Sequence, residues 1–531
     1  MATNGDSTAR PKVTINQGTV VGIQQQGAYP RPIDVFLGIP YALPPTGDRR
    51  FRNPEPVPHS TETIDASRFG PRAPAKQFVV RGPKLETSED CLTANVFRQT
   101  SPAEGNGAGS KLLPVAIYLH GGAFNRGNAA MHDSASMVGW SAEPFVMVSC
   151  GYRIGALGFL PSSLSAKEGV LNLGLKDQIL LMVWVQENIG QFGGDKNNVT
   201  LIGLSAGAHS IGHHLLDYEE GKKPLFHRVV MESGAPTSRA VRHHDAEIHE
   251  QQFRDFLRAA GCPPDLEDSD VFPFLRSLPT SAIADAQVQV FDAYNPSLRW
   301  AFQPVIDGTL IRGRPIDGWR SGRWHRVPIM TGFTGNEGSL YAPKAMATSA
   351  EFTDFFRKLL PQLTDEDLAA IDALYPDPVT VPDSAYREDR QSLGVGDQYK
   401  RIEAAYAHYA YVAPVRQTAH FVGALVPTYL YHWAACSSVV GGASHGDNMA
   451  YEARERAVCE KSATQAELAG VLHAPDWVPH RGEAEPMKMV FGGGNEELVG
   501  GDVGEAAVVV KDEWAARESL FWWVKVEISQ Q

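Results

Sequence analysis

Cysteine is scarce and scattered in this chain: five in 531 residues, at Cys91, Cys150, Cys262, Cys436 and Cys459. An odd count with no short spacing fits neither a disulfide framework nor a metal site. The expectation is five thiols in a reducing, cytoplasmic compartment. Long apolar runs are missing as well. The best candidate, Phe145 to Leu160, is broken by Arg153 and several glycines, so no stretch suits a bilayer crossing. Met1 to Arg10 has no hydrophobic centre and does not read as a signal peptide. Positive charge is in deficit, with 48 Lys and Arg against 61 Asp and Glu and a formal net charge of −13. Neutralising phosphates needs clustered Lys and Arg, which argues against nucleic acid as a partner. Phosphate loops are absent too: Gly492-Gly493-Gly494 lacks the following Lys-Ser/Thr, and Gly394-Val395-Gly396 lacks a preceding apolar strand. Both read as turns. No cofactor and no metal is expected.

What the chain does have is a series of short apolar runs separated by helical stretches. Leu113 to Leu119, Phe145 to Ser149, Val199 to Ile202, Arg228 to Met231, Val327 to Met330 and Val426 to Tyr431 read as buried strands. Leu175 to Ile189 carries apolar residues at helical spacing. Strands of this kind alternating with helices predict an α/β fold, a mostly parallel sheet covered on both faces. Val13 to Gln24 reads as an N-terminal hairpin at an antiparallel edge, and Thr100 to Lys111 as a surface loop. With no repeat and no long linker, residues 1–531 read as a single unit. Pocket-forming insertions are expected within 239–300 and 342–417.

The chemistry centres on Gly203-Leu204-Ser205-Ala206-Gly207, which lies between an apolar strand and a helix-compatible stretch. In that context Gly-x-Ser-x-Gly is a nucleophile elbow that leaves the serine hydroxyl exposed at a sharp turn. Such a serine needs a base, a carboxylate to orient it, and an oxyanion site. His120-Gly121-Gly122-Ala123-Phe124 follows a strand directly, so the N–H groups of Gly121 and Gly122, with that of Ala206, are the candidate oxyanion donors. Of 17 histidines, His445 stands in a small-residue loop after a late strand, as the order Ser, acid, His requires. His209, one helical turn beyond Ser205, is a rival, while His213 and His214 on the same helix read as surface or packing residues. Glu337, in a glycine-rich loop after the strand at 327–330, is the candidate acid, with Asp307 and Asp447 as alternatives.

These segments, together with Phe36 to Ala42, Ser88 to Phe97, Tyr152-Arg153, Asn172 to Gln178 and Phe192-Gly193-Gly194, resemble the type-B carboxylesterases. This carboxylesterase/lipase group includes the cholinesterases and has the α/β-hydrolase fold. The resemblance runs from about Val13 to the C-terminal end. It implies Ser205 as nucleophile, Glu337 as acid, His445 as base, and Gly121, Gly122 and Ala206 as the oxyanion hole. The departures carry information. Leu204 stands where the family has an acid before the serine. Ala73 stands where the family has the cysteine that would pair with Cys91, so Cys91 is expected to be a buried thiol. Phe78 is the only aromatic in the loop from Ala75 to Asp90, which lacks the tryptophan that stacks on a choline ammonium.

The resulting expectation is a serine hydrolase acting through an acyl-enzyme on a small, non-choline ester. Two alternatives stand beside it: an acyltransferase or lactone-forming enzyme using the same acyl-serine, and a non-catalytic adhesion or scaffold protein of the same fold.

Overall fold

The apolar runs form a sheet that is parallel through its centre. The computed structural model describes residues 10–76, 82–100, 111–239, 241–460, 463–471, 477–494 and 504–529. Phe78 and most of the 100–111 loop lie outside the described residues. In chain order the first strands are β1 (Lys12–Ile15), β2 (Gly18–Val21), β3 (Ile23–Gln25), β4 (Ile33–Pro40) and β5 (Thr63–Asp65). Next come β6 (Thr93–Gln99), β7 (Leu113–Leu119), β8 (Val146–Cys150), β9 (Gly194–Leu204) and β10 (Arg228–Glu232). The last are β11 (Ile329–Thr334), β12 (Thr428–Trp433), β13 (Met487–Gly493) and β14 (Glu505–Lys511). Eleven of them make one sheet in the order β14-β13-β12-β11-β10-β9-β7-β8-β6-β4-β3. From β13 to β8 every neighbouring pair is parallel, and the outer pairs at both ends are antiparallel. This is the α/β-hydrolase fold.

Proline sets the strand limits. Pro328 and Pro427 lack the N–H a ladder needs, and β11 and β12 begin just after them, then run on to Thr334 and Trp433. Pro114 stays inside β7, where the pairing with β9 shifts register between Leu113 and Val115. The N-terminal hairpin forms, with Lys12 opposite Val21. It joins β5 in a separate three-stranded sheet instead of edging the large one. Strand β2 pairs with β5 there, and Gly18 permits the close approach: its φ is +133° and a Cβ would meet the Glu62 carbonyl oxygen at 2.2 Å. Strand β3 takes the edge.

The helix Leu173–Asn188 packs on the sheet and buries Leu175, Leu181, Trp184 and Val185. Several residues of the recognised segments prove to be scaffold. Asp177 pairs with Arg153 at 2.6 Å, and Glu89 pairs with Arg50 at 2.6 Å, all four buried. None of the five cysteines is in a disulfide. Cys91 and Cys150 are fully enclosed, and burial pushes both thiols well up, so they are packing groups and not nucleophiles. Among the described residues no helix is long and apolar enough to cross a membrane.

Candidate active site

Strands β7, β9, β11 and β12 all deliver their following loops to one edge of the sheet, the C-terminal edge where open α/β sheets bind ligands. Ser205 follows the last residue of β9 and precedes the helix Ala206–Leu216. Its backbone, at φ 58° and ψ −120°, is one that side chains ordinarily avoid. The neighbours enforce it. The Ser205 N–H donates to the Glu232 carbonyl at 2.8 Å. A Cβ on Gly203 would meet the Gly207 backbone at 2.7 Å, and one on Gly207 would meet the Leu119 carbonyl oxygen at 1.9 Å. Only glycine fits on either side of the serine. The Ala206 N–H, first in its helix, has no intrahelical acceptor.

The loop after β7 is held as tightly. His120 stacks on Tyr152 with ring centres 4.3 Å apart, and Tyr152 Oη donates to the His120 carbonyl at 2.6 Å. Burial pushes the His120 imidazole down to about 4, so it is neutral and structural. Gly122 has φ +119°, and a Cβ there would meet the Arg126 carbonyl oxygen at 2.2 Å. Gly121 lies against Ser205, 3.0 Å from its Cβ to where a glycine Cβ would stand. Gly121, Gly122, Ser205 and His445 line one cavity of about 250 Å³, with apolar walls from Met131, Leu204, Leu340 and Met449 and with Arg126 and Tyr341 at its side.

Glu337 and His445 meet although 108 residues separate them. His445 Nδ1 donates to Glu337 Oε2 at 2.5 Å, and the other carboxylate oxygen accepts the Thr334 N–H at 2.7 Å. Their loops are joined: Asn336 N–H donates to the Ala443 carbonyl at 2.9 Å, and the hydroxyls of Ser339 and Ser444 lie 2.9 Å apart. Glu337 is fully buried. His445 Nε2 is buried and makes no hydrogen bond in the structure, which leaves it for proton exchange toward the cavity.

The other candidates do different work. Asp307 accepts the N–H groups of Thr309, Leu310 and Ile311. Asp447 accepts the Ser444 N–H at 2.7 Å and ties its own loop. His209 Nδ1 lies 3.0 Å from the Ala235 carbonyl oxygen, and His214 Nε2 lies 2.8 Å from Gln178 Oε1. His213 is buried beside them. Burial pushes all three histidines down, which makes them core groups.

One feature of the site has little signature in the sequence. Glu232, opposite Leu204 in the β9–β10 register, is fully buried and faces the carboxyl of Glu452, which accepts from Asn448 Nδ2. A buried acid thus stands on the strand adjacent to Leu204. Burial, then the Glu452 charge, holds the Glu232 carboxyl well above the usual range, and burial raises Glu452 too. A raised folded pKa contributes stability that is complete below the unfolded value of about 4.3 and is lost as pH rises through the folded value. Glu232→Gln, which cannot ionise, is therefore expected to melt higher than wild type at pH 9, with the gap closing toward pH 5. Melting curves across that range check it, and a difference independent of pH would refute it.

The chain from residue 9 to 469 matches the carboxylesterase family. It is 33% identical over 518 residues to secreted lipase 4 of Gibberella zeae, covering 93% of this chain and 88% of that one. It is 32% identical to lipase 2 of Geotrichum candidum, over 76% of this chain and 77% of that one. It is also 32% identical to a secreted triacylglycerol lipase of Gibberella zeae, over 70% and 66%. The fold is similar to that of Aspergillus niger EstA, with a TM-score of 0.80, 24% identity, and coverage of 98% and 99%. These relatives overturn the cytoplasmic expectation, since two are named as secreted. The cysteine argument failed for a physical reason. Disulfides are obligatory in small secreted domains with too little core, and a fold of this size has core enough without them. From its sequence match and fold, the chain belongs to the carboxylesterase family and is a carboxylic-ester hydrolase.

Proposed function

We propose that Ser205, His445 and Glu337 carry the hydrolysis, with the N–H groups of Gly121, Gly122 and Ala206 as the oxyanion hole. The observation that carries this reading is the His445–Glu337 hydrogen bond, 2.5 Å long, made by a histidine that shares a cavity wall with Ser205. Ser205 Oγ attacks the ester carbonyl carbon while its proton passes to His445 Nε2. Charge on the carbonyl oxygen is met by the three N–H groups, fixed in place before the reaction begins. The carbon–oxygen bond to the alcohol breaks, and the alcohol leaves with the proton from His445. Water then attacks the acyl-Ser205 ester, gives its proton to Nε2, and the acid departs as that proton returns to Oγ. Glu337 holds the imidazole in the tautomer that leaves Nε2 free to accept, and stabilises the imidazolium.

The expected substrate is a small ester without a choline group. No tryptophan lines the 250 Å³ cavity, and Arg126 does, which disfavours a quaternary cation. Residues 1–531 are read as one hydrolase unit; within 239–300 and 342–417, Trp300 and Tyr406 line a separate, smaller cavity of about 40 Å³, and the lining of the catalytic cavity comes from outside both stretches. Acyl transfer to another acceptor drew its motivation from an intracellular location, and that motivation is gone. A p-nitrophenyl alkylphosphonate is expected to add one phosphonyl group to the chain, on the peptide that contains Ser205. Intact mass followed by peptide mapping reads this; an unlabelled chain, or a label elsewhere, would count against the assignment.

A further inference from the structure

Beside the aromatic wall of the catalytic cavity lies a group of arginines that, among the described residues, no carboxylate pairs with. Arg239, Arg242 and Arg299 line a small cavity of about 40 Å³ together with Trp300, Gln303 and Tyr406. Arg239 is held in left-handed backbone, φ 63°, a costly conformation for a residue other than glycine. Its guanidinium carbon lies 4.1 Å from the Trp300 ring centre, 5.5 Å from that of Tyr411 and 5.7 Å from that of Tyr341. Nη2 donates to Tyr411 Oη, while Nε and Nη1 are buried and make no hydrogen bond. Arg299 Nε is in the same state. Among the described residues the groups around Arg239 are the Trp300 ring, the phenols of Tyr341, Tyr406 and Tyr411, and Arg126 and His209, and those around Arg242 are Tyr409, Arg299 and His249. Burial, and then the neighbouring Arg299 charge, pushes the Arg242 guanidinium down to about 10.

Four well-covered arginines elsewhere are each met by a carboxylate: Arg50 has Glu89, Arg153 has Asp177, Arg401 has Asp372 and Arg416 has Asp512, while buried Arg126 lies over the Phe291 ring. Desolvating cations together without an anion is costly, and a chain with 61 acidic residues has had every means to supply one. An anion arriving from outside would offset that cost. A guanidinium fork pairs with planar carboxylates in bidentate fashion. The cavity has room for a few waters, hence for a carboxylate and not for a ring.

The place is also connected to the catalytic centre. Tyr341 lines the cavity that holds Ser205 and lies over Arg239. The Tyr411 ring has the His445 ring at 4.7 Å and the Arg239 guanidinium at 5.5 Å. A five-residue π-helical stretch, His408–Val412, carries both Tyr409 and Tyr411 into this region, and such insertions often mark functional sites.

We propose that Arg239, Arg242 and Arg299 form a carboxylate subsite, so that this hydrolase takes esters bearing a second, free carboxylate or is bound there by a free carboxylate. The substrate form of the proposal rests on the assignment of Ser205 and His445 above. Two measurements on the full chain test it. The first compares kcat/KM for monomethyl and dimethyl esters of straight dicarboxylic acids, from succinate to sebacate. In wild type the half-ester to diester ratio is expected to peak at one chain length. In Arg239→Met and in Arg242→Gln the peak ratio is expected to fall about ten- to a hundredfold, the loss of a charge-assisted hydrogen bond. Both arginines are half-buried, but only Arg239 holds left-handed backbone, so the Arg242 variant guards against misfolding at Arg239. The second measurement needs no turnover. Sodium adipate is expected to raise the melting temperature of Ser205→Ala above a sodium chloride control of equal ionic strength, and not that of Ser205→Ala with Arg242→Gln. A fall in the ratio alone identifies the substrate as the source of the carboxylate, and a melting shift alone identifies a free carboxylate. If neither the fall in the ratio nor the melting shift is observed, the subsite is overturned. If wild type cleaves no ester at all, the hydrolase reading fails while the melting measurement still decides the subsite.

Discussion

Ser205→Ala is expected to lower kcat on the order of 10⁶-fold while leaving the fold intact, since loss of a serine nucleophile removes the whole acyl-enzyme route. Alanine suits the position sterically. Its Cβ occupies the same place, and the strained φ of 58° is already imposed by the hydrogen bond to Glu232 and by the two close glycine contacts. Some catalysis should persist above water, because the oxyanion donors belong to the backbone and are untouched. Steady-state turnover of a p-nitrophenyl ester, with a melting curve on the same sample, checks both halves. A loss below a hundredfold would mean that another group attacks the ester, and the assignment of Ser205 would fall.

The elbow was legible in the sequence because its backbone leaves no choice of residue. Gly203 and Gly207 are written in the chain for the reason that a Cβ at either place would overlap main-chain atoms. The same holds for Gly122 in the loop after β7. Glu337 and His445 were legible more indirectly, through glycine-rich loops after apolar strands, and their contact rests on the register of β11 against β12. The starts of those strands read two residues early, because apolar character continues through Pro328 and Pro427 while hydrogen bonding cannot. What could not be read is the packing between distant segments. Trp300, Tyr341 and Tyr411 come from three separate stretches and meet over Arg239, and nothing in the spacing of any one stretch predicts that. Glu232 was hidden in the same way. It ends an apolar strand, and its importance comes from Glu452, which a different part of the chain supplies.

Glu337→Gln is expected to lower kcat by about 10⁴-fold with little change in stability, by analogy with the Asp-to-Asn change in a serine-protease triad. The argument is one of proton placement. In wild type the carboxylate only accepts, so the His445 proton stays on Nδ1 and Nε2 is left to act as the base in the proposed reaction. A glutamine can keep its oxygen on the Thr334 N–H, where the carboxylate now accepts at 2.7 Å, and this turns its NH₂ toward His445. An amide that donates there is satisfied only by an Nδ1 that accepts. The imidazole proton then moves to Nε2, and the ring can no longer take the proton of Ser205. Because the exchange alters neither volume nor packing, melting temperature should hold while kcat falls and phosphonate labelling of Ser205 slows in proportion. Nδ1 protonation read by imidazole nitrogen NMR separates this account from simple misplacement of the ring. If the variant kept its Nδ1 proton and still lost activity, Glu337 would act through charge on the imidazolium and not through the tautomer. If it kept full activity, His445 would not depend on Glu337 at all, and the acid of this site would have to be sought elsewhere.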